Sequence, residues 1–225
     1  MSGDHEVEPG FAMDFRTAEF VTSAARLDAC PADSTAEVAF AGRSNAGKSS
    51  AINALTEQAR LARTSKTPGR TQLINFFQVA AGNYLVDLPG YGFAKVPLAV
   101  KNQWQRELEL YLRNRQPLLG LVLLSDARHP LKEFDRMMVT WATQSGLPLH
   151  LLLTKADKLK RGAAQNTLLG VRRELQDLPE VTVQLFSINQ AEAIAQLRRR
   201  LSDWFEAAVT ADGEPPPDAA SSGST

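Results

Sequence analysis

The chain has 225 residues, 44% hydrophobic and 22% charged, which is the composition of a globular protein with a packed core. No apolar run approaches the roughly 20 residues of a membrane span, and the acidic, polar N-terminus lacks the features of a signal peptide. The single Cys30 excludes an internal disulfide bond and favours a reducing compartment, so a cytoplasmic protein is expected.

The net charge of zero hides an asymmetry along the chain. Residues 1–10 and 211–225 each carry three acids and no Lys or Arg, so residues 11–210 carry a charge of +6. A basic central part is compatible with a polyanionic partner. We expect a flexible acidic N-terminus (1–16), one domain (17–208) and a disordered acidic tail (209–225).

The first predicted elements lead to a glycine-rich turn. Residues 15–29 have apolar side chains able to form one face of a helix, and residues 38–41 form a short buried strand. The next residues match the phosphate-loop pattern G-x-x-x-x-G-K-[ST] at Gly42, Arg43, Ser44, Asn45, Ala46, Gly47, Lys48 and Ser49. A helix to about residue 58 follows, and this strand–loop–helix setting favours a phosphate site over a chance turn.

The spacing of this loop suits a nucleotide phosphate. Gly42 and Gly47 let successive backbone N–H groups face one anion, and the helix N-terminus adds positive potential there. Lys48 would reach the β- and γ-phosphates, and the Ser49 hydroxyl would ligate Mg²⁺.

The rest of the chain alternates strands and helices. Residues 59–72 have loop composition and carry four basic residues without an acid: Arg60, Arg63, Lys66 and Arg70. The predicted strands are then 73–79, 84–87 (antiparallel through a turn at 81–83), 118–125, 147–154 and 181–186. Helices are predicted near 97–114, 131–144, 162–177 and 191–208. The expected fold is α/β, three-layered, with a mostly parallel six-stranded sheet and one antiparallel edge strand.

Two motifs suit a metal and a γ-phosphate. In Asp87-Leu88-Pro89-Gly90, Asp87 ends a strand and could hold Mg²⁺ through water, while the Gly90 N–H could contact the γ-phosphate. Thr71 could complete the Mg²⁺ shell when the γ-phosphate is present. The predicted metal ligands are therefore Ser49, Thr71 and Asp87.

A third motif, Thr154-Lys155-Ala156-Asp157, follows a buried strand. The Asp157 carboxylate matches the N1–H and amino donors of guanine, a pair that adenine lacks. The Lys155 stem could cover one face of the base. Phe186, Ser187 and Ile188 end the last strand, where backbone N–H groups could touch the base. The alternative is a capped helix start in which Asp157 is a surface acid.

Together these motifs resemble the translation-factor-related P-loop GTPases, and more narrowly the EngB (YihA/YsxC) family of bacterial ribosome-assembly GTPases. The residues that carry the resemblance are 42–50, 66–72, 87–92 and 154–157, and it extends over roughly 17–208. Thr154 stands where most GTPases have Asn, as is usual in that family.

The resemblance implies a Ras-like fold, Mg²⁺ dependence and GTP or GDP as ligand. It also implies binding to the large (50S) ribosomal subunit and its rRNA during assembly, and a link to cell division and septation. Nucleotide contacts are implied for the motif residues Gly69, Arg70, Thr71, Gln72 and Leu73. The protein is expected to be a monomer that binds neither membrane nor DNA.

Slow hydrolysis is expected, with segments 59–72 and 88–96 as switches. Tyr91 occupies the position where Ras-like enzymes carry the Gln that orients water. Asn45, three residues before Lys48, could ligate K⁺ as in potassium-activated GTPases, or could only shape the loop. The catalytic candidates are Asn45, Lys48, Thr71 and Gly90.

Two other functions remain open from the sequence. A P-loop ATPase or small-molecule kinase would need a second substrate pocket and a lid. A GTP-gated regulator of division that never touches RNA would share every nucleotide motif. Residues 198–200, three consecutive arginines, could touch RNA or form a solvated helix face. The three histidines are too scattered for a metal site.

Overall fold

The structure is a computed structural model that describes residues 13–62, 73–91 and 98–212, with side chains left out at 98–101, 104, 211 and 212. One seven-stranded sheet has the order β1-β3-β4-β2-β5-β6-β7. The strands are β1 (Glu19–Ala24), β2 (Ala36–Gly42), β3 (Ile74–Ala80), β4 (Asn83–Asp87), β5 (Leu118–Asp126), β6 (Leu149–Thr154) and β7 (Val181–Leu185). The helices are α1 (Lys48–Thr56), α2 (Leu98–Asn114), α3 (Glu133–Gln144), α4 (Arg161–Glu174) and α5 (Ala191–Asp212).

The predicted α/β architecture is confirmed, with one additional strand. The expectation of a helical face within residues 15–29 is wrong, because Glu19–Ala24 pairs antiparallel with β3 as an edge strand. Phe20 packs edge-on against Phe77 at 6.0 Å between ring centroids. The outer backbone N–H and C=O groups of β3 need hydrogen-bond partners, which favours a strand here. Because β3 is about 50 residues further along the chain, the local sequence pattern does not indicate this pairing. β3 is the strand that runs against the others, and β1 lies outside it.

Two apolar layers flank the sheet. Every position of β2 is buried, as expected for a central strand covered on both faces. One cluster packs α2, α3 and α4 against the sheet through residues such as Tyr111, Met138 and Leu168. The other packs α1 and α5 through Leu55 and Phe205, and also takes in Met13 and Phe15. The protein therefore has three layers, with its central strands between the clusters.

A buried ionic group closes one end of β2. Glu37 is 0% exposed and accepts hydrogen bonds from the Tyr111 hydroxyl at 2.6 Å and from the Arg115 Nε at 2.9 Å. Arg115 also donates to the Pro31 carbonyl at 2.8 Å, so it ties the segment before β2 to the end of α2. Buried charges need such complete pairing, and here the pairing fixes the end of β2 away from the phosphate loop.

The parallel strands place the functional loops together. β2, β4, β5, β6 and β7 run in one direction, so their carboxyl ends share one edge of the sheet, where open α/β sheets bind ligands. Among the residues that the structure describes, no helix is both long and apolar enough to span a membrane.

Candidate nucleotide-binding site

The phosphate loop joins β2 to α1 through two left-handed residues, Asn45 (φ 64°) and Gly47 (φ 99°). Asparagine and glycine tolerate this region better than other residues. Gly42 sits so close to β5 that a Cβ there would lie 3.0 Å from the Leu124 carbonyl oxygen. The residue types of the motif therefore match the backbone path that the loop takes.

The N-terminus of α1 is suited to an anion. Gly47 is its N-cap and brings no side-chain hydrogen bond, and no acid lies in the first turn. The first N–H groups of a helix lack intrahelical partners and carry the positive end of its dipole. Ser49 lies in this turn, and its hydroxyl has no hydrogen-bond partner among the described residues. The geometry matches a site that closes around phosphate.

Lys48 and Asp87 meet across the site. The Lys48 ammonium contacts an Asp87 carboxylate oxygen, and the two side chains are 11% and 9% exposed. Asp87 is brought there by the parallel pairing of β2 with β4, in which it faces Phe40. The carboxylate of Asp87 and the hydroxyl of Ser49 are oxygen donors of the kind that Mg²⁺ prefers, so this set fits the metal. Phosphate oxygens would replace the carboxylate as partner of Lys48.

The D-x-x-G segment is paired directly with the phosphate loop. The Ser44 N–H donates to the Tyr91 carbonyl at 2.7 Å, and the Tyr91 N–H donates to the Gly42 carbonyl at 3.3 Å. Gly90 lies against Ser44, with its Cβ position 3.6 Å from the Ser44 backbone. The D-x-x-G segment and the phosphate loop are therefore joined through their main chains.

The Tyr91 side chain points away from this backbone contact into the core. It is 2% exposed, and its hydroxyl donates to Asp135 Oδ1 on α3 at 2.6 Å. Ser125 donates to the other Asp135 oxygen at 2.8 Å. Burial, with the Asp135 carboxylate beside it, raises the pKa of Tyr91 well above its ordinary value. The residue at the position of the Ras-like Gln thus anchors the segment to α3.

The loop after β6 holds the phosphate loop from the other side. The Thr154 hydroxyl is buried and donates to the Ala46 carbonyl at 2.7 Å. Lys155, in a left-handed conformation, donates from Nζ to the Asn45 carbonyl at 2.7 Å and to Asp126 Oδ2 at 3.0 Å. Hydrogen bonds from Arg128 and Lys155 hold the pKa of Asp126 well below its usual range. Thr154 and Lys155 therefore position the phosphate loop, a role that the base-reading motif did not predict.

Asp157 is oriented by the loop after β7. The Ser187 hydroxyl donates to Asp157 Oδ1 at 2.8 Å and accepts from the Asn189 N–H at 3.2 Å. The Ala156 N–H donates to the Phe186 carbonyl at 3.2 Å, which joins the two loops. The Ser187 hydrogen bond, helped by Lys158, lowers the pKa of Asp157, so the carboxylate stays ionised. The sequence left the Ser187 side chain without a role.

Most of the residues predicted from the sequence come together at this edge. Residues 42–49, 87–90, 154–157 and 186–188 meet there, and Leu73 lies just before β3. Gly69, Arg70, Thr71 and Gln72 lie outside the described residues, as does most of the second switch. Sequence reasoning missed Ser125 and Asp126; their place at the end of the apolar run of β5 was the available signal.

Three loops meet at this edge of the sheet: a phosphate loop, a D-x-x-G segment and, after β6, a loop that carries an acid. Together with the strand order of the sheet, they define a P-loop GTPase. The sequence model of the 50S ribosome-binding GTPases (MMR_HSR1) matches residues 37–155, more than half of the chain. The chain belongs to that family, so it is a GTP-binding protein of the GTPase class, whose members generally use Mg²⁺.

Solved structures share the fold. A probable GTP-binding protein EngB is 24% identical, with 76% of this chain and 100% of that chain covered and a TM-score of 0.62. The elongation factor SelB from Methanococcus maripaludis, in complex with the GTP analogue GppNHp, is 14% identical, covering 76% and 34%, with a TM-score of 0.54. The G domain of the T. maritima iron transporter FeoB is 21% identical, covering 76% and 98%, with a TM-score of 0.51.

Proposed function

We propose that this protein is an EngB-type, GTP-gated switch that acts in assembly of the large ribosomal subunit. The observation that carries the proposal is the backbone pairing of Ser44 and Gly42 with Tyr91. Because Gly90 adjoins this pairing, a γ-phosphate that attracts the Gly90 N–H would move the D-x-x-G segment relative to the phosphate loop. A difference between GTP and GDP would thereby reach the surface.

Each site residue has a role in this proposal. Backbone N–H groups of 42–49 bind the phosphates, and the Lys48 ammonium neutralises the β- and γ-phosphates. Ser49, Asp87 and Thr71 would hold Mg²⁺, which supplies charge neutralisation when bound. Asp157 would bind the guanine N1–H and amino group, with Ser187 holding its carboxylate in place.

Hydrolysis is proposed to be slow without help. A Gln at position 91 would orient the attacking water in a Ras-like site, but the Tyr91 hydroxyl is engaged with Asp135. Asn45 is exposed, and its side-chain amide forms no hydrogen bond within the described part of the chain. It would therefore be available to a K⁺ ion beside the phosphates, where a cation stabilises the charge that develops in the transition state.

The proposed partner is the 50S subunit and its rRNA, with a consequence for division and septation. Support comes from the family to which the chain belongs and from the charge of +6 over residues 11–210. The basic segment that includes Arg60, Arg63, Lys66 and Arg70 follows α1, the helix that begins at the phosphate loop. Phosphate contacts by such residues would make binding salt-dependent. The expected setting is a cytoplasmic monomer.

The test is sedimentation with purified 50S subunits in GTP, GDP and a non-hydrolysable GTP analogue, over a range of salt concentrations. We expect association to be strongest with GTP or the analogue and to fall steeply as salt rises. Asp157→Asn is the matched control for gating, because its amide pairs with the extra carbonyl of xanthine. This variant should lose association in GTP and regain it in xanthosine triphosphate.

Two results would contradict the proposal in different ways. Equal, salt-indifferent sedimentation in all nucleotides would reject gating. Normal GTP binding without any cosedimentation would favour the division regulator instead.

A further inference from the structure

An open groove of about 600 Å³ lies along β7, between α4 and α5. Its walls carry three arginines, Arg172 from α4 and Arg199 and Arg200 from α5, and we call it the arginine groove. His150 and Thr182, near the starts of β6 and β7, form its floor. The nucleotide-binding loops follow the opposite ends of these strands, so the groove is separate from that site.

The structure separates the three consecutive arginines of α5. Arg198 donates from Nε and Nη2 to the Leu55 carbonyl, at 2.9 and 2.7 Å, and pairs with Glu57, so it caps the end of α1. Arg199 and Arg200 line the groove on the other side of the helix. The sequence left an RNA contact or a solvated helix face open for the whole run, whereas the structure ties Arg198 to α1 and places only Arg199 and Arg200 at the groove.

The groove arginines retain unused donors. Arg172 donates from Nη2 to the Val183 carbonyl at 3.1 Å, which holds the side chain in place and leaves other N–H groups for a ligand. Arg199 pairs with Glu192, a side chain that is 85% exposed, and such surface pairs are weak. Arg200 has no hydrogen bond or ion pair among the described residues. Among the described residues that line the groove, Asp203 is the one acid.

The floor of the groove is polar and uncharged. The two ring nitrogens of His150 lie 2.7 Å from Thr182 Oγ1 and 2.8 Å from Gln184 Oε1. Burial lowers the pKa of His150 to about 4, so the imidazole is neutral near pH 7. The positive potential of the groove therefore comes from the arginines, whose guanidinium groups suit phosphate oxygens.

The free edge of β7 argues against an added peptide strand. The Glu180 carbonyl and the Phe186 N–H bond to β6, so the backbone groups of Val181, Val183 and Leu185 face outward. The Val183 carbonyl already accepts a hydrogen bond from the Arg172 side chain, and the Gln184 side-chain amide lies 3.4 Å from the Leu185 carbonyl. Strand addition needs these acceptors, whereas phosphates need only the guanidinium donors.

We propose that the arginine groove is a second RNA-binding surface, where Arg172, Arg199 and Arg200 hold backbone phosphates of ribosomal RNA. The proposal rests on the proposed ribosomal function and adds a contact that does not depend on the nucleotide. Since the groove lies away from the phosphate loop, it contributes equally in the GTP and GDP states. It would keep the protein on its RNA while the switch segments change.

The test compares Arg199→Gln/Arg200→Gln with Arg106→Gln/Arg113→Gln. The second variant removes the same charge from exposed positions of α2, which packs on the opposite face of the sheet from α5. Binding to 50S subunits and to protein-free rRNA extracted from them is measured against salt, in GTP and in GDP. Each lost phosphate contact reduces the slope of log K against log[salt] by about 0.7–0.9, so the groove variant should lose about 1.4–1.8.

The slope for the α2 variant should equal that of the parent protein, and Arg199→Lys/Arg200→Lys should restore most of it. GDP affinity, measured with a fluorescent analogue, should be the same in all variants, which excludes misfolding.

An unchanged slope in the groove variant, or an equal loss in the α2 variant, overturns the proposal. Arginine-dependent binding to intact subunits with none to protein-free rRNA also overturns it, because a protein would then occupy the groove. If the parent binds subunits with GTP dependence and the groove variant does likewise, only the groove proposal fails. Arginine-dependent rRNA binding without any binding to subunits would reject the ribosomal function and leave the groove as an RNA site.

Discussion

Replacing Tyr91 with phenylalanine removes one hydroxyl from the contact that anchors the D-x-x-G segment to α3. That hydroxyl donates to Asp135 at 2.6 Å, and Asp135 is 1% exposed. The carboxylate keeps its bonds from the Ser125 hydroxyl and the Lys132 N–H, at 2.8 and 3.1 Å. A hydrogen bond to a charged group contributes about 1.5–3 kcal/mol, so Tyr91→Phe should lower the free energy of unfolding by about 2 kcal/mol.

The assay is urea unfolding followed by circular dichroism, with Tyr84→Phe as the matched control. Tyr84 is equally buried, but its hydroxyl donates at 3.0 Å to Asp33, which is exposed to water. Water can replace that bond, so the control should lose less than about 1 kcal/mol. For a domain of this size, the loss in Tyr91→Phe corresponds to a Tm about 4–8 °C lower.

The nucleotide site should be unaffected by this change, because Tyr91 contacts the phosphate loop through its backbone. GDP affinity and the intrinsic rate of GTP hydrolysis are therefore expected to equal those of the parent protein. The reasoning is refuted if Tyr91→Phe is as stable as Tyr84→Phe, or if hydrolysis falls while stability does not.

Four further predictions follow from particular contacts. Thr154→Val removes the hydrogen bond to the Ala46 carbonyl, so GDP affinity should fall about 5-fold, the equivalent of ~1 kcal/mol. Thr154→Ser keeps the hydroxyl and should keep the affinity. Equal GDP affinities of the Val variant and the parent in a calorimetric titration would reject this role. Asn45→Gly keeps the left-handed backbone but removes the side-chain amide. Any excess of the GTP turnover rate in K⁺ over that in Na⁺ should then disappear, while GDP affinity is unchanged. Persistence of the excess would exclude Asn45 as a K⁺ ligand. For His150 the folded pKa of about 4 lies below the unfolded value near 6.5, so acidification protonates the unfolded state first and stability is lost as pH falls from about 6.5 towards 4. Between pH 7.5 and 5 this amounts to about 2 kcal/mol, which urea titrations should find absent in His150→Gln. Burial raises the pKa of Cys30 to about 11, so the native thiol should react with Ellman's reagent far more slowly than the unfolded chain; equal rates would show an accessible thiolate.

The sequence by itself determined the class of fold and most of the nucleotide site. The continuous apolar runs of β5 and β6 predicted central strands, and parallel central strands bring their following loops to one edge. The glycine spacing of residues 42–47 specified a backbone that curls around an anion, because that property depends on local dihedral angles. Apolar runs and glycine spacings each involve residues that are close in the chain, so the local sequence pattern is enough to predict them.

The tertiary structure decided which side chains contact each other across the fold. The pairing of β1 with β3, the hydrogen bond from Thr154 to Ala46 and the contact of Tyr91 with Asp135 join residues far apart in the chain. Among the arginines of α5, the packing of the helix against α1 directs Arg198 inward and leaves Arg199 at the groove. Side chains that are neighbours in sequence face different partners around a helix. Their roles therefore depend on how the layers pack, which local spacing does not encode.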